Sequence, residues 1–143
     1  MVRLAEARRT EYEPHQPVFW RKALDSKERQ RDWFAALLDD PSAICLVLEN
    51  DGELEGMLIG TVASAPAVYD PGGLTCTIDD FVVRAPELWA EAGAALLDHL
   101  QTELKDRGAV QIVVVCGHHD AAKRSFLEAR DLSIASEWWT TPI

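Results

Sequence analysis

The stretch from Thr75 to Gly117 constrains this chain more than any other. An apolar strand pattern, Thr75-Cys76-Thr77-Ile78-Asp79-Asp80-Phe81-Val82-Val83, runs into a helical pattern from Pro86 to Arg107, which Gly108 closes before a second strand, Val110 to Cys116. A crossover of this length suits two parallel neighbours in one sheet, and such crossovers are almost always right-handed. Ligands of open sheets bind outside the carboxyl ends of the strands, so the crevice there is where a site is expected.

The helix has a plain amphipathic signature. Leu88, Ala92, Leu96, Leu100 and Leu104 recur every fourth residue, and Gly93 and Leu97 widen the stripe to the breadth that packs on a sheet. Glu87 and Glu91 at its start, with Lys105 and Arg107 at its end, complement the helix dipole, and Gly108 supplies the C-cap. The preceding strand is less regular. Cys76 and Ile78 put its apolar set on one parity, whereas Phe81 and Val83 put it on the other. A period-two pattern changes phase within a strand only where a residue is inserted or the strand leaves the sheet, so a β-bulge is predicted at Asp79-Asp80. Bulges are over-represented beside active sites; the plain alternative is two carboxylates in solvent at a strand irregularity.

The rest of the chain supplies support for this unit. Val2 to Ala7 reads as a short first strand or an unstructured lead-in, with a break at Arg8-Arg9-Thr10-Glu11. Pro17 opens a helix over Val18 to Leu24, and Asp25 or Ser26 caps another in which Trp33, Phe34, Leu37 and Leu38 form a stripe. Ala43 to Leu48 is an apolar run of strand length, followed by the hairpin chemistry of Asn50-Asp51-Gly52 and an antiparallel partner, Met57 to Ala63. Ser64 to Gly73 is a longer loop around Tyr69. After the second parallel strand, Asp120 caps a helix to about Arg130, and Leu132 to Trp139 reads as a last strand.

Composition narrows the classes of function. With 143 residues, 48% of them hydrophobic, and no repeat or linker, the chain reads as one domain over residues 1–143. A net charge of -10 opposes nucleic acid or an anionic membrane as partner, and leaves a basic or amine-bearing one, or simply a soluble surface. No signal-like core and no apolar run near the ~18 residues of a membrane span are visible, so a cytoplasmic protein is expected. Cys45, Cys76 and Cys116 lie in apolar runs without metal-ligand spacing, so they read as packing residues and no metal is expected.

The element order is helix, helix, three antiparallel strands, helix, parallel strand, helix, strand. With Ile78-Asp79-Asp80-Phe81-Val82-Val83 entering a helix that carries Ala92-Gly93-Ala94-Ala95-Leu96-Leu97, and Arg107-Gly108-Ala109 turning into Ile112-Val113-Val114-Val115, the chain resembles the GNAT superfamily of acyl-CoA-dependent N-acetyltransferases over nearly its whole length. The resemblance implies an α/β (α+β) fold: a mixed, mostly antiparallel central sheet, a parallel crossover from the fourth strand of the family through its third helix to the fifth, and helices on both faces. It implies acetyl-CoA as co-substrate. Phe81, Val82 and Val83 would line its pantetheine arm; Trp89, Ala90, Glu91, Ala92, Gly93 and Ala94 would face its pyrophosphate, with Asp120 and Lys123 nearby. Asp80 becomes the candidate base for an amine nucleophile, His118 a candidate for proton exchange, and amides of the bulged strand would polarise the thioester carbonyl.

The acceptor would lie between the N-terminal helices and the Ser64-to-Gly73 loop, walled by Tyr12, His15, Phe19, Trp20 and Tyr69, although core packing explains the aromatics equally well. Two departures stand out. The family enters its helix with Gln or Arg, two residues, Gly, one residue, then Gly or Ala; here Leu88-Trp89-Ala90-Glu91-Ala92-Gly93 retains only the last mark. A carboxylate at position 91, ~4 Å from a phosphate charge, would cost roughly 1 to 4 kcal/mol. Leu127 stands where many members carry a proton-donating tyrosine. Two functions follow: an N-acetyltransferase acting on an amine of a small molecule or peptide, or a GNAT-fold binding or assembly module without cofactor chemistry. The Trp138-Trp139 pair suggests a homodimer.

Overall fold

The computed structural model describes residues 1–143. Its elements are α1 (Val2–Tyr12), α2 (Ser26–Leu38), β1 (Ala43–Asn50), β2 (Glu53–Ser64), β3 (Leu74–Val83), a 3-10 turn (Pro86–Ala90), α3 (Ala92–Asp106), β4 (Ala109–Val114) and α4 (Ala121–Ala129). The four strands lie in the order β1-β2-β3-β4. The first three are antiparallel, and β4 runs parallel to β3 across α3. The crossover therefore joins the third and fourth strands of this chain, because its N-terminus is a helix rather than a strand. No helix is long and apolar enough to cross a membrane.

Both faces of the sheet are covered. Leu58, Cys76, Ile78, Phe81 and Val83 pack against Leu96, Leu97, Leu100 and Leu104 of α3, and Met57, Ile59 and Val82 pack on the reverse face against Ala5 of α1 and Phe34 of α2. The phase change in β3 is a bulge, as predicted. Gly60 pairs with Ile78 and Ile59 with Asp80, so Asp79 is the extra residue. Its insertion returns Phe81 and Val83 to the α3 face that Cys76 and Ile78 already occupy. The hairpin turn between β1 and β2 takes positive φ at Asp51 (51°) and Gly52 (79°), as its sequence requires. Gly108 closes α3 at φ 71°.

Four expectations are corrected. Residues 2–12 form a helix because α1 buries Ala5 and Tyr12, and the arginines that read as a break find partners on α2 and at the N-cap of α4. Residues 18–24 form no helix; Val18, Phe19 and Leu24 are exposed, so no apolar face is available to reward the nucleation cost. The pattern from Pro86 to Arg107 divides at Glu91 (φ -110°, ψ -68°), where tight winding gives way to α3. Trp89, four residues before Gly93 and eight before Leu97, lies in the core, 4% exposed. Finally, Leu132 to Trp139 pairs with no strand. Its alternating pattern lacks a ladder, Ile134, Trp138 and Trp139 stay exposed, and β4 is left as a sheet edge.

Candidate active site at the parting of two strands

The register of β3 with β4 runs from Leu74 opposite Ala109 to Ile78 opposite Val114, and one further bond follows, from the Val115 amide to the Ile78 carbonyl at 2.9 Å. Beyond Ile78 the two strands part. The bulge at Asp79 keeps β3 paired to β2 as far as Val83, while β4 gives way to the turn that leads into α4. The backbone of a splayed cleft is thus present at the carboxyl ends of β3 and β4.

Side chains from four other elements converge on this gap. Asp120 caps α4, accepting the Lys123 amide at 3.1 Å. That cap places Lys123 in the first turn, and its side chain runs into the gap. Nζ donates to the Phe81 carbonyl at 3.0 Å and to the Val115 carbonyl at 2.7 Å, one on each parting strand. The residue is 2% exposed, and burial pulls its pKa down to about 8. The Phe81 and Trp89 rings lie 5.5 and 5.9 Å from Nζ, within cation–π range.

Tyr12 of α1 closes the adjoining end. Its hydroxyl donates to Asp120 Oδ2 at 2.7 Å and accepts the Gly117 amide at 3.2 Å, and Arg8 pairs with the same carboxylate. The ring lies so close to Gly117 that a Cβ there would come 2.8 Å from Cζ. Burial raises the Tyr12 phenol well above its ordinary pKa, so it stays protonated. Arg8, Arg9 and Gln30 belong to this network but carried no recognisable motif. Only the fold brings them beside residues about 20 or more than 100 positions away.

The bulge separates the acidic pair. Asp79 is exposed, whereas Asp80 turns towards α2, where Gln30 Nε2 donates to its carboxylate at 3.5 Å and Arg9 holds the other end of Gln30. Burial raises the Asp80 pKa, with Arg9 and Lys123 opposing. A carboxylate shifted in that direction is better matched to accept a proton near neutral pH.

The remaining expected residues fall into two groups. Tyr12 packs edge-on to Trp20 (5.1 Å), Trp20 to Phe19 (4.6 Å), and His15 lies 5.4 Å from His119, so Tyr12, His15, Phe19 and Trp20 form one wall beside the gap. Tyr69 does not join it. Its loop lies at the amino ends of β3 and β4, about 23 Å from Phe81 at the usual rise of a strand. His118 is exposed, with Nδ1 3.7 Å from Glu137 of the C-terminal segment, and stands outside the Lys123 network.

At the helix entry the chain fills its own space. Trp89 stacks on Phe126 (5.1 Å, 28°) and meets Phe81 edge-on (4.9 Å). Gly93 makes room for that indole: a Cβ there would come 2.7 Å from Trp89 Cε3. Ala92 is buried, Ala94 half-buried, and Ala90 and Glu91 are exposed, Glu91 at the N-cap without a side-chain cap bond. The nearby cation Arg84 is held by Glu53 at 3.1 Å. Leu127 packs in the core and offers no proton donor. Between the parted strands, Lys123 bridges the opening and Trp89 packs beside it against Phe81 and Phe126. Two shallow clefts of 330 and 290 Å³, at Gln101–Ile112 and beside Leu46 and His99, lie elsewhere.

A mixed sheet with a bulged strand that parts from its parallel neighbour, flanked by helices on both faces, is an α/β architecture with a splayed cleft between two parallel strands. The sequence matches the Acetyltransferase (GNAT) family over residues 3–131, and the chain belongs to that family. Solved structures agree on the fold. The tetramutant of the BH1408 protein from Bacillus halodurans superposes with a TM-score of 0.80 at 14% identity, covering 99% of this chain and 91% of that one. An aminoglycoside antibiotic 6′-N-acetyltransferase from Acinetobacter haemolyticus gives 0.69 at 10% identity, covering 85% of each chain. A ribosomal-protein-alanine N-acetyltransferase from Brucella melitensis biovar Abortus gives 0.57 at 24%, covering 78% of each. No curated protein matches the sequence. Family membership supports acyl transfer as the general chemistry.

Proposed function

We propose that the protein transfers an acetyl group from acetyl-CoA to an amine of a small molecule or peptide. The observation that carries this reading is the bulge at Asp79, which parts β3 from β4 and sets a half-buried carboxylate, Asp80, beside the opening. Acetyl-CoA supplies the activated thioester. The chain's own contribution is to bind the amine against Tyr12, His15, Phe19 and Trp20 and to remove its proton at Asp80, directly or through water. A net charge of -10 favours a cationic amine over a nucleic acid or an anionic membrane, and suits a cytoplasmic enzyme. The exposed Trp138-Trp139 pair is available for a homodimer contact.

The test is turnover of acetyl-CoA with a panel of amines, comparing wild type with Asp80→Asn. Loss of a general base lowers kcat by about 10² to 10⁴-fold. Full activity in the variant removes Asp80 from the mechanism.

A second reading, a GNAT-fold binding or assembly module, is favoured by the indole of Trp89 and the carboxylate of Glu91 at the helix entry. Glu91→Gly separates the two. A gain in CoA affinity of roughly tenfold or more, the size expected from removing one like charge, supports the module. Unchanged affinity supports the enzyme.

A further inference from the structure

We infer that Lys123 governs whether acyl-CoA enters, because its side chain fills the gap and ties together the two parted strands between which the thioester arm would lie; this rests on the acyl-CoA reading above. Three observations carry it. The ammonium nitrogen reaches one carbonyl on each strand, Phe81 at 3.0 Å and Val115 at 2.7 Å, immediately beyond the last β3–β4 backbone bond. A chain threaded through that gap has to replace both bonds. The side chain is also 2% exposed, so it fills the gap rather than bordering it. Finally, the tie is held at its base, since the Asp120 carboxylate accepts the Lys123 amide and is itself fixed by Tyr12 and Arg8.

The chemistry of the site agrees with a removable occupant. An ammonium has three N–H donors, and two of them have protein acceptors here. Lysine's flexible four-carbon stem and strong hydration favour withdrawal to water once another ligand takes the carbonyls. The pantetheine arm carries amide N–H groups that can donate to the same oxygens. The exchange is between two sets of donors for one pair of acceptors, and no covalent step is involved.

Calorimetric titration with CoA, which has no acyl group to transfer, reads binding without turnover. Lys123→Ala removes both the tie and the bulk, and is expected to tighten the dissociation constant by about tenfold to a hundredfold, the span of two displaced hydrogen bonds offset by rehydration. Lys123→Met keeps the bulk and removes the donors, and is expected to fall between Lys123→Ala and wild type. It also serves where the alanine variant fails to fold, since tightening over wild type is then still required. Measurable binding by wild type with no tightening in either folded variant overturns the role of Lys123 and leaves the acyl-CoA reading standing. No binding by any of the three at millimolar CoA overturns both.

Discussion

The two halves of the β3–β4 junction are held by different means. From Leu74 to Ile78 the strands are joined by a backbone ladder over a buried apolar face, with Cys76 and Ile78 fully excluded from water. From Asp79 onward no ladder exists between them, and the same strands are bridged by the Lys123 side chain, with Tyr12 and the cap of α4 holding the turn that follows β4. The ladder cannot open without losing the sheet. Side-chain ties can open one at a time, and a cleft that has to admit a ligand belongs in that half.

The contrast is broken most severely from the ladder side. Ile78→Ala removes a buried side chain beneath α3 and is expected to cost about 2 to 5 kcal/mol in denaturant unfolding. A loss below 1 kcal/mol would mean that the paired half is not the rigid one.

The second prediction concerns the buried lysine. Its folded pKa of about 8 lies below the 10.5 of a free lysine, so between these values the unfolded chain binds the extra proton and stability rises with pH. The folded state carries a penalty of about 3 kcal/mol at neutral pH, relieved as pH climbs from about 8 to 10.5. Cys45, Cys76 and Cys116, whose pKa values burial raises, act in the opposite sense at alkaline pH. The lysine is therefore read from the difference between wild type and Lys123→Met. That difference should shift towards wild type by about 3 kcal/mol across the window; a flat difference would mean the ammonium is hydrated.

The smallest effect is expected at the end of the parted half. Gly117→Ala forces a methyl into the Tyr12 ring and should cost about 1 to 3 kcal/mol by thermal unfolding. In a Tyr12→Ala background the added cost of Gly117→Ala should vanish if that contact is the cause.

What the sequence made legible follows the same division. The bulge was readable because the apolar parity of Cys76 and Ile78 conflicts with that of Phe81 and Val83, and the caps at Gly108 and Asp120 are local chemistry. α1 was not readable. Its arginines meet Asp120 and Gln30, and only the tertiary structure turns a run of charges into a helix face. The break at Glu91 was not readable either, because the spacing of Leu88, Ala92 and Leu96 runs through it without a change of period. The last strand failed for the opposite reason: Leu132 to Trp139 has the alternation but no partner. Of the expected site, Asp80, Phe81, Lys123 and Tyr12 are brought together, but the lysine turns from a phosphate ligand into the tie that closes the gap.

The most direct measurement is amide hydrogen exchange with and without saturating CoA. Slowed exchange at Phe81 to Val83 and at Val115 to Gly117, with no change around the cleft at Gln101 and Lys105, is the predicted result. Unaltered exchange at both segments while CoA is bound would contradict the assignment of the parting strands as the acyl-CoA site.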